Sequence, residues 1–332
     1  MIVLSDRDVA ALLPMESAID VVERAMVAVS AGAANLPLRM VVDVSPPNMM
    51  GVMPGAFMPG NGTVEGCFGV KLVSLFPNNP DAGFSSHQGA IVLFEPDHGS
   101  AVTMMNAGLL TAVRTAAASA VATKALARQD CSTLAMVGAG EQAEHHVEAM
   151  LLVRPSICTL RIAGRRPEKA QAFAAHVTQR HPGLAVTVSP DVRAAVDGAD
   201  VVCTVTSSPT PILMGEWIAP GTHLNVVGAS VASKREIDEE TVVRSRLFVD
   251  YRPSTFAQAG EVIAAIDGGR IGRDHVQAEI GEVLAGRAGG RRDAGEITLY
   301  RSLGIAAQDL ACAAYCLRAA QARGMGVEAP LD

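Results

Sequence analysis

The amino-acid sequence predicts an α/β protein in which the middle of the chain forms a parallel sheet with helices on both faces. From residue 132 onward, apolar strand-like stretches alternate with helical ones, a rhythm typical of right-handed βαβ units. The preceding region contains several strand-like stretches in succession, which indicates a second domain of different construction. At 332 residues, the chain is long enough for two domains with separate cores.

The first domain is expected to begin with two helices. Ser5 and Asp8 have the spacing of a capping box, and Pro14 is placed to begin a second helix that ends at Gly32. Short strands are expected next, in the stretches RMVVDV, GVMPGAFM, FGVKLVSLF, GAIVLF and AVTMMN. An alanine-rich run, GLLTAVRTAAASAVATKALA, then predicts a buried helix that joins the two domains.

The central region predicts regular strand–helix units. Helices are expected from Glu141, from Glu168 and near Ala194. The strands are expected in the stretches STLAMVG, TLRIAG, AVTVS, ADVVCTV, HLNVVGA and LFVDY. The last long stretch, SLGIAAQDLACAAYCLRAAQARG, predicts a helix that packs back on the first domain.

Composition excludes several classes of protein. Apolar residues make up 49% of the chain and charged residues 18%, which is incompatible with a disordered protein. A formal charge of −7 and only 4% aromatic residues argue against nucleic-acid binding. Apolar runs stay shorter than the roughly 18 residues of a membrane span, and the N-terminus lacks the pattern of a signal peptide. Neither a membrane partner nor secretion is therefore expected.

The cysteines indicate a reducing compartment. Six cysteines occur without a CxxC pair, mostly in apolar surroundings, and are interpreted as reduced core thiols of a cytoplasmic protein. Cys312 and Cys316 lie one helical turn apart but lack accompanying His or Cys residues, so no metal site is expected.

The stretch VGAGEQA, residues 137–143, carries the pattern G-x-G-x-x-A. Gly138, Gly140 and Ala143 directly follow an apolar strand and open the helix EQAEHHVEAMLLV. Glycines at these positions permit a tight turn and let the backbone approach a pyrophosphate at the helix N-terminus. The alternative is a glycine-rich turn without a ligand, but the order of strand, motif, helix and next strand favours a Rossmann dinucleotide-binding domain.

The end of the following strand bears on the choice of dinucleotide. An acidic residue is usual there when the ribose carries a free 2′-hydroxyl, but TLRIA is followed by Gly164, Arg165 and Arg166. Because arginine can bind a 2′-phosphate, NADP(H) is preferred over NAD(H), which stays possible. The alternative is that these are two solvated arginines.

The histidines offer weaker signals. His87 is interpreted either as an ordinary turn histidine or as a neighbour of the cationic residues described next. Glu144, His145 and His146 do not have the H-E-x-x-H order of a zinc site and are expected to face solvent.

Three cationic residues stand in apolar sequence of the first domain. Arg39 lies in LPLRMVVDV, Lys71 in CFGVKLVSLF and Arg114 in GLLTAVRTAAASAV. A buried cation is rare without an anionic partner, and Asp43 or Glu65 would serve for one of them. Three in one domain of an acidic protein favour an anion supplied from outside, such as a substrate carboxylate. Each residue on its own is more typical of a structural role.

Ser230 ends the strand-like stretch HLNVVGAS. In an open α/β sheet, ligands bind in the crevice beyond the carboxyl ends of the strands, so this hydroxyl is placed to contact a cofactor or a substrate. The alternative is an ordinary loop serine.

Together these stretches closely resemble the ornithine cyclodeaminase/μ-crystallin family over most of residues 35 to 312. The resemblance is carried by GVKLVSLFPNNP, SHQGAIVLFEPDHG, LLTAVRTAAASAVATKALA, VGAGEQA, ADVVCTVTSSPTPIL, GEWIAPGTHLNVVGAS, KREID, AEIGEVLAGR and EITLYRSLG. It implies a central doubly wound Rossmann NAD(P)-binding domain, 116–307, and an α+β substrate and dimerisation domain formed by both chain ends, 1–115 and 308–332. It also implies a homodimer.

The resemblance assigns roles to individual residues. Arg39, Lys71 and Arg114 match the positions that hold the substrate α-carboxylate, in agreement with the charge argument. The expected cofactor-binding residues are Gly138, Gly140, Glu141, Gln142, Ala143, Arg165, Arg166, Thr206, Ser207, Val227 and Gly228. Of these, Thr206 and Ser207 match a segment that runs beside the nicotinamide.

Two positions depart from the cyclodeaminase pattern. Ser230 occupies the place of an aspartate, and the segment Gly51-Val52-Met53-Pro54 lacks the glutamate that contacts the substrate amine. Cyclodeamination needs carboxylates that hold ammonium groups and shuttle protons, whereas reduction of a preformed imine demands less. The VGAS sequence is similar to the ketimine-reducing branch of the family, which usually employs NADPH.

The sequence therefore predicts an NAD(P)H-dependent reductase of a cyclic ketimine acid, Δ1-pyrroline-2-carboxylate or Δ1-piperideine-2-carboxylate, with L-proline or L-pipecolate as product. Lys71 and Ser230 are the expected catalytic residues. The alternatives are an ornithine cyclodeaminase, an alanine dehydrogenase-like enzyme, an open-chain imino-acid reductase and a crystallin-like protein that only binds NADPH or a small ligand.

Overall fold

The computed structural model describes residues 1–58, 64 and 66–330, apart from the side chains of residues 80 and 81. The chain divides into two compact units: unit 1 is Met1–Thr115 with Ile305–Asp332, and unit 2 is Ala116–Gly304. The second boundary therefore falls three residues before the expected one between residues 307 and 308. Glu65, considered as a partner for a buried cation, lies outside the described residues.

Unit 1 is a mixed sheet covered by helices. Its strands are β1 Ile2–Leu4, β2 Ala34–Asn35, β3 Met40–Ser45, β4 Asn48–Phe57, β5 Cys67–Leu75, β6 His87–Phe94, β7 Ala101–Asn106 and β16 Val327–Glu328. Its helices are α1 Asp6–Leu12, α2 Met15–Ser30, the first part of α3 Gly108–Leu126, and α11 Ala306–Arg323. The order across the sheet is β16-β1-β7-β6-β5-β4-β2, and β3 pairs with β4.

The predicted helices and strands of this region are confirmed, including the capping box of α1, in which the Asp8 amide donates to Ser5 Oγ at 3.3 Å. The strands β1, β2 and β16 were not predicted because two- and three-residue strands carry no periodicity.

One buried row crosses the unit 1 sheet. Met53, Lys71, Ile91 and Met105 are neighbours in register on β4, β5, β6 and β7, and each is nearly inaccessible to solvent. Helix α11 packs against β4, β5 and α2. Lys71 therefore stands in an apolar row under a helix, where its charge requires a partner.

Unit 2 is a parallel sheet with helices between its strands. The strands are β8 Thr133–Val137, β9 Thr159–Ala163, β10 Ala185–Val188, β11 Val201–Thr204, β12 His223–Val226, β13 Arg246–Val249, β14 Val276–Glu279 and β15 Thr298–Arg301. The helices are α4 Glu141–Val153, α5 Pro167–Arg180, α6 Val192–Val196, α7 Glu239–Arg244, α8 Arg252–Gln258, α9 Gly260–Asp267 and α10 Ile280–Leu284. All strand pairs are parallel.

The strand order in unit 2 is β10-β9-β8-β11-β12-β15-β13-β14. The order reverses between β8 and β11, so this doubly wound sheet has its switch point, the usual place of a ligand crevice, beside the glycine-rich turn. The predicted strands are confirmed, whereas β14 and β15 were missed. β15 inserts between β12 and β13, and its sequence TLYR ends in a buried arginine, which does not resemble an apolar core strand.

None of the helices in the described part of the chain combines the length and apolar character that crossing a bilayer requires.

Candidate active site

The glycine-rich turn after β8 has the geometry that a pyrophosphate requires. Gly138 has a φ of +121°, and a Cβ there would lie 2.9 Å from the Val205 carbonyl oxygen, so a side chain is excluded. Gly140 is the N-cap of α4, with open space where a Cβ would stand and no side-chain hydrogen bond to the cap. Helix N-termini of this kind attract phosphate, so these residues fit a dinucleotide.

The other residues expected to bind the cofactor in this region lie at the start of α4 and after β9. Glu141 and Gln142 begin α4, and Ala143 in the same turn is fully buried. Arg165 and Arg166 are exposed between the end of β9 and the start of α5. The two residues therefore follow the carboxyl end of β9.

A buried carboxylate that sequence analysis missed connects the ends of β11 and β12. Glu236 accepts hydrogen bonds from the Thr204 hydroxyl at 2.9 Å, from the Thr206 amide and hydroxyl at 2.6 and 2.7 Å, and from the Gly228 amide at 2.6 Å. Burial raises the pKa of Glu236, although these hydrogen bonds oppose the effect. A Cβ at Gly228 would lie 1.9 Å from the Thr206 carbonyl oxygen. The structure thus brings together two segments that contain predicted cofactor-binding residues, one with Thr206 and the other with Gly228.

Ser230 lies two residues after Gly228 and is half-buried. The carbonyl of the preceding Ala229 accepts a hydrogen bond from Arg301, a fully buried residue that also donates to the Val226 carbonyl at 3.1 Å and pairs with Glu261. Arg301 therefore fixes the backbone that carries Ser230. Neither Arg301 nor Glu261 was singled out from the sequence.

The two buried cations of unit 1 share an internal partner. Lys71 Nζ lies 2.8 Å and Arg114 Nε 2.9 Å from the same oxygen, Asp309 Oδ1 on α11. Arg114 Nη1 also donates to Gln308 Oε1 at 2.8 Å. The partner is thus Asp309 and not Asp43, which lies on the exposed strand β3.

Arg39 belongs to the same region of unit 1. It is half-buried, and a Cβ at Gly51 would lie 3.8 Å from Arg39 Cδ, so its side chain crosses β4 beside that glycine. The positive charge of Arg39 is one of the causes that lower the pKa of Lys71 and the pKa of His87. The structure therefore brings the three predicted cations within electrostatic range of one another.

Lys71 and Arg114 share one carboxylate, and their charges act on its pKa and on one another. Desolvation, followed by the charge of Arg114, lowers the pKa of Lys71 to about 7, although Asp309 opposes both. Burial alone would raise the pKa of Asp309, but Arg114 and Lys71 outweigh it and lower that pKa. One carboxylate therefore faces two buried cations and a third nearby.

His87 is a neighbour of the cations, the second of the two interpretations left open. His87 begins β6, and its Nδ1 lies 2.9 Å from Ser86 Oγ. Desolvation and then the charges of Lys71, Arg114 and Arg39 lower the pKa of His87 to about 4. It is therefore neutral at physiological pH.

The expectation that Glu144, His145 and His146 face solvent is wrong for His146. This residue is fully buried on the face of α4 that also carries Ala143 and Val147, because residues three and four apart share a helix face. Its Nε2 lies 3.0 Å from Ser119 Oγ, and its Nδ1 lies 2.7 Å from the Gln142 carbonyl oxygen.

Unit 2 also has a surface cavity of about 450 Å³ whose lining includes Arg246, Arg292 and Glu296. Its arginines already have partners, because Arg292 Nε lies 2.5 Å from Glu296 Oε1 and Arg246 Nε donates to the Gly290 carbonyl at 3.2 Å. Among the described residues, no cluster of His, Cys, Asp and Glu is arranged to hold a metal ion.

A doubly wound parallel sheet with a glycine-rich turn, combined with a second unit that buries a cationic cluster, defines a protein of the Rossmann class. The chain belongs to the ornithine cyclodeaminase/mu-crystallin family, whose model matches residues 1–323. It is 36% identical over 283 residues to the ketimine reductase mu-crystallin of Mus musculus, covering 85% of this chain and 84% of that protein.

Two solved structures are similar over the whole chain. The Δ1-pyrroline-2-carboxylate reductase of Thermococcus litoralis, in complex with NADH and L-proline, has a TM-score of 0.94 at 33% identity, covering 99% of this chain and 100% of that one. An archaeal alanine dehydrogenase dimer with bound NAD has a TM-score of 0.92 at 30% identity, covering 100% and 99% of the two chains.

Proposed function

We propose that this protein is an NAD(P)H-dependent reductase of a cyclic ketimine acid, Δ1-pyrroline-2-carboxylate or Δ1-piperideine-2-carboxylate, with L-proline or L-pipecolate as product. The observation that carries the proposal is the pair of cations, Lys71 and Arg114, that shares Asp309 in unit 1 and keeps N–H donors without an acceptor among the described residues. The similarity to a Δ1-pyrroline-2-carboxylate reductase that binds L-proline supports the same substrate class.

The surplus of donors fits a substrate carboxylate. Lys71 has three N–H donors, of which one is used by Asp309. Arg114 donates from Nε to Asp309 and from Nη1 to Gln308, while its Nη2 donates to none of the described residues. Arg39 adds a third cation nearby. A carboxylate would accept charge-assisted hydrogen bonds from these groups, which are about twice as strong as neutral ones.

The cofactor would be held by unit 2. A bound nicotinamide cofactor supplies the hydride that the imine carbon accepts. Gly138, Gly140 and Ala143, with Glu141 and Gln142 of the first turn, would hold the pyrophosphate at the N-terminus of α4. The nicotinamide would lie beside Thr206, Ser207, Val227 and Gly228. Arg165 and Arg166 would bind a 2′-phosphate, so NADP(H) is preferred while NAD(H) is possible.

Lys71 and Ser230 are the proposed catalytic residues. When hydride reaches the imine carbon, the π-electron pair of the C=N bond moves to nitrogen, which takes a proton. Lys71 can give this proton because a pKa of about 7 lies near the working pH, and it then regains one from water. The Ser230 hydroxyl can donate a hydrogen bond and relay a proton through water, but it is no carboxylate base.

The alternatives are less well supported. Ser230 occupies the place of one cyclodeaminase carboxylate, and the segment Gly51-Val52-Met53-Pro54 lacks the other. An alanine dehydrogenase activity is the second candidate, since a similar structure is an alanine dehydrogenase. An open-chain dicarboxylate would need polar groups for its second carboxylate, and a protein that only binds the cofactor would have no use for the cationic cluster.

We also propose a homodimer formed through unit 1. Strand β3 is exposed along its whole length and carries apolar side chains in an edge position, where burial against a second copy would be favourable. The exposed apolar residues here are Leu38, Met40, Val41, Val42 and Val44. The dimeric alanine dehydrogenase supports this assembly, and light scattering on the purified protein measures it. We further propose a cytoplasmic location, because free cysteines are typical of a reducing compartment.

The decisive assay supplies the purified protein with each cyclic ketimine and NADPH or NADH, and follows the loss of reduced cofactor. Ammonia release from ornithine and oxidation of alanine are measured in parallel. Reduction of a cyclic ketimine at a rate well above the other activities is the expected result. Rapid ammonia release from ornithine without ketimine reduction would overturn the proposal.

A further inference from the structure

Asp309 occupies an unusual position for a buried counter-ion. Its Oδ1 accepts from two cations on two different elements, Lys71 of β5 and Arg114 of α3, at 2.8 and 2.9 Å. Its Oδ2 is buried and accepts no hydrogen bond from the described residues. By contrast, Asp250 of unit 2 uses both oxygens, accepting the amides of Tyr251, Leu303 and Gly304. Asp309 is therefore placed to hold two cations rather than to satisfy backbone.

We propose that Asp309 is a positioning residue that keeps Lys71 in its charged, proton-donating form and orients Arg114 toward the substrate carboxylate. This inference rests on the proposed function, since it gives Lys71 the proton that the imine nitrogen receives. Asp309 itself stays ionised throughout, and the proton moves only from Lys71 Nζ to the imine nitrogen.

The neighbours of Lys71 explain why a counter-ion is needed. The positive charges of Arg114 on α3 and Arg39 before β3 act on Lys71, and the charge of Lys71 acts in turn on His87 of β6. Cys312, one turn after Asp309 on α11, stays a neutral thiol because burial raises its pKa well above the ordinary value. Asp309 is the anion that opposes desolvation and both arginines.

Without Asp309, the ammonium of Lys71 would stand in an apolar row between cations. Its proton would then be lost at a lower pH, because both burial and like charges disfavour the charged form. At neutral pH, the neutral amine would neither donate a proton nor attract a carboxylate. The same substitution would release Arg114 Nε and leave Gln308 as the acceptor of the guanidinium among the described residues.

The orientation of Arg114 follows from the same contacts. Asp309 and Gln308 are consecutive residues of α11 and accept from Nε and Nη1 of one guanidinium at 2.9 and 2.8 Å. This two-point hold fixes the plane of the group, since its donors lie in a rigid fork. The hold leaves Nη2 for an external acceptor.

The test uses a direct titration of Lys71. The chain has four lysines, at positions 71, 124, 169 and 234, so protein labelled with ¹³C at lysine Cε gives few NMR signals, and Lys71→Met assigns the signal of interest. In the wild-type protein, Lys71 is expected to titrate near pH 7. In Asp309→Asn the midpoint should fall by about one pH unit or more, because an opposite charge at this distance is removed.

Two further variants complete the titration. Asp250→Asn removes a comparably buried carboxylate from unit 2 and should leave the Lys71 midpoint unchanged. Asp309→Glu keeps the charge and should retain a midpoint closer to the wild type than Asp309→Asn does. If Asp309→Asn does not fold, Asp309→Ser replaces it, with Asp309→Glu as its charged counterpart. An unchanged midpoint in the neutral variants would overturn the inference, as would an ordinary lysine pKa of about 10.4 in the wild type.

Kinetics separate this inference from the proposed function. With a cyclic ketimine and NADPH, the basic limb of kcat/KM against pH should move to lower pH in Asp309→Asn and stay in place in Asp250→Asn. The substrate's own titration is common to all variants and does not produce such a difference. Absence of ketimine turnover in the wild type would refute the function, while the NMR midpoints would still decide the role of Asp309.

Discussion

Arg114 in unit 1 and Arg301 in unit 2 are both buried arginines beside a buried carboxylate, but they use their donors differently. Arg301 pairs with Glu261 and gives its remaining nitrogens to the carbonyls of Val226, Ser302 and Ala229. Arg114 pairs with Asp309 and Gln308 and leaves Nη2 without a partner among the described residues.

The comparison separates a structural from a functional buried charge. A cation whose three nitrogens all donate to acceptors of the chain itself has little capacity left for a ligand, so its removal should chiefly cost stability. A cation with donors to spare in a buried site is stabilised further when an external anion arrives, so its removal should chiefly cost binding and catalysis. The effects of substitutions in the two units should therefore fall on different measurements.

The largest effect on activity is expected for Lys71→Met. The substitution removes both a carboxylate contact and the proposed proton donor, so kcat/KM for the ketimine should fall by about 10³- to 10⁴-fold. Steady-state kinetics measure this loss, and Lys124→Met, the same change at an exposed position of α3, is the matched control. A loss of less than tenfold would remove Lys71 from the mechanism.

The two arginines can be compared directly by the same substitution. Arg301→Met leaves Glu261 buried without its cation, and the free energy of unfolding should fall by about 3–5 kcal/mol. Arg114→Met leaves Asp309 paired with Lys71, so it should destabilise the protein less while it raises KM for the ketimine strongly. Denaturant unfolding and kinetics of both variants measure these effects. Equal losses of stability would contradict the distinction between the two arginines.

Ser230→Asp tests the position that departs from the cyclodeaminase pattern. The new carboxylate can hold the imine nitrogen as a cation and delay its release, so turnover should change by about tenfold or more. The KM for NADPH should change far less, because the glycine-rich turn is untouched. Ser230→Ala serves as the neutral comparison, and unchanged kinetics in both variants would make Ser230 a spectator.

The smallest effect is expected at the turn after β9. Arg165→Ser combined with Arg166→Ser should raise KM for NADPH by about tenfold, since charge-assisted hydrogen bonds to the 2′-phosphate are lost. The KM for NADH should stay nearly constant. Arg180→Ser, a surface change at the end of α5, is the control. Equal effects on both cofactors would leave the preference for NADP(H) unsupported.

The parts of the site that the sequence predicted are those with local patterns. The glycine-rich turn has fixed spacing between a strand and a helix, and Lys71 and Arg114 stand out because charge interrupts apolar stretches. These patterns depend on a few adjacent residues, so they can be recognised without knowledge of the tertiary structure.

The partners could not be predicted in the same way. Asp309 lies 238 residues from Lys71 and 195 from Arg114, on a helix where one aspartate among alanines is typical of a solvated face. Glu236 stands in polar sequence and Arg301 ends the unpredicted strand β15, and the burial of both depends on how β11, β12 and β15 are ordered in the sheet. His146 was misjudged because three polar residues in succession suggested solvent, although helical periodicity places only some of them outside.

The central claim is that the N–H donors of Lys71 and Arg114 bind the substrate carboxylate. A substrate without this carboxylate tests the claim most directly. Reduction of Δ1-pyrroline is compared with reduction of Δ1-pyrroline-2-carboxylate in the wild type and in Arg114→Met. In the wild type, kcat/KM should be about 10³-fold or more lower for the imine without the carboxylate, and this ratio should shrink at least tenfold in Arg114→Met. A ratio that is the same in both proteins would show that Arg114 does not recognise the carboxylate.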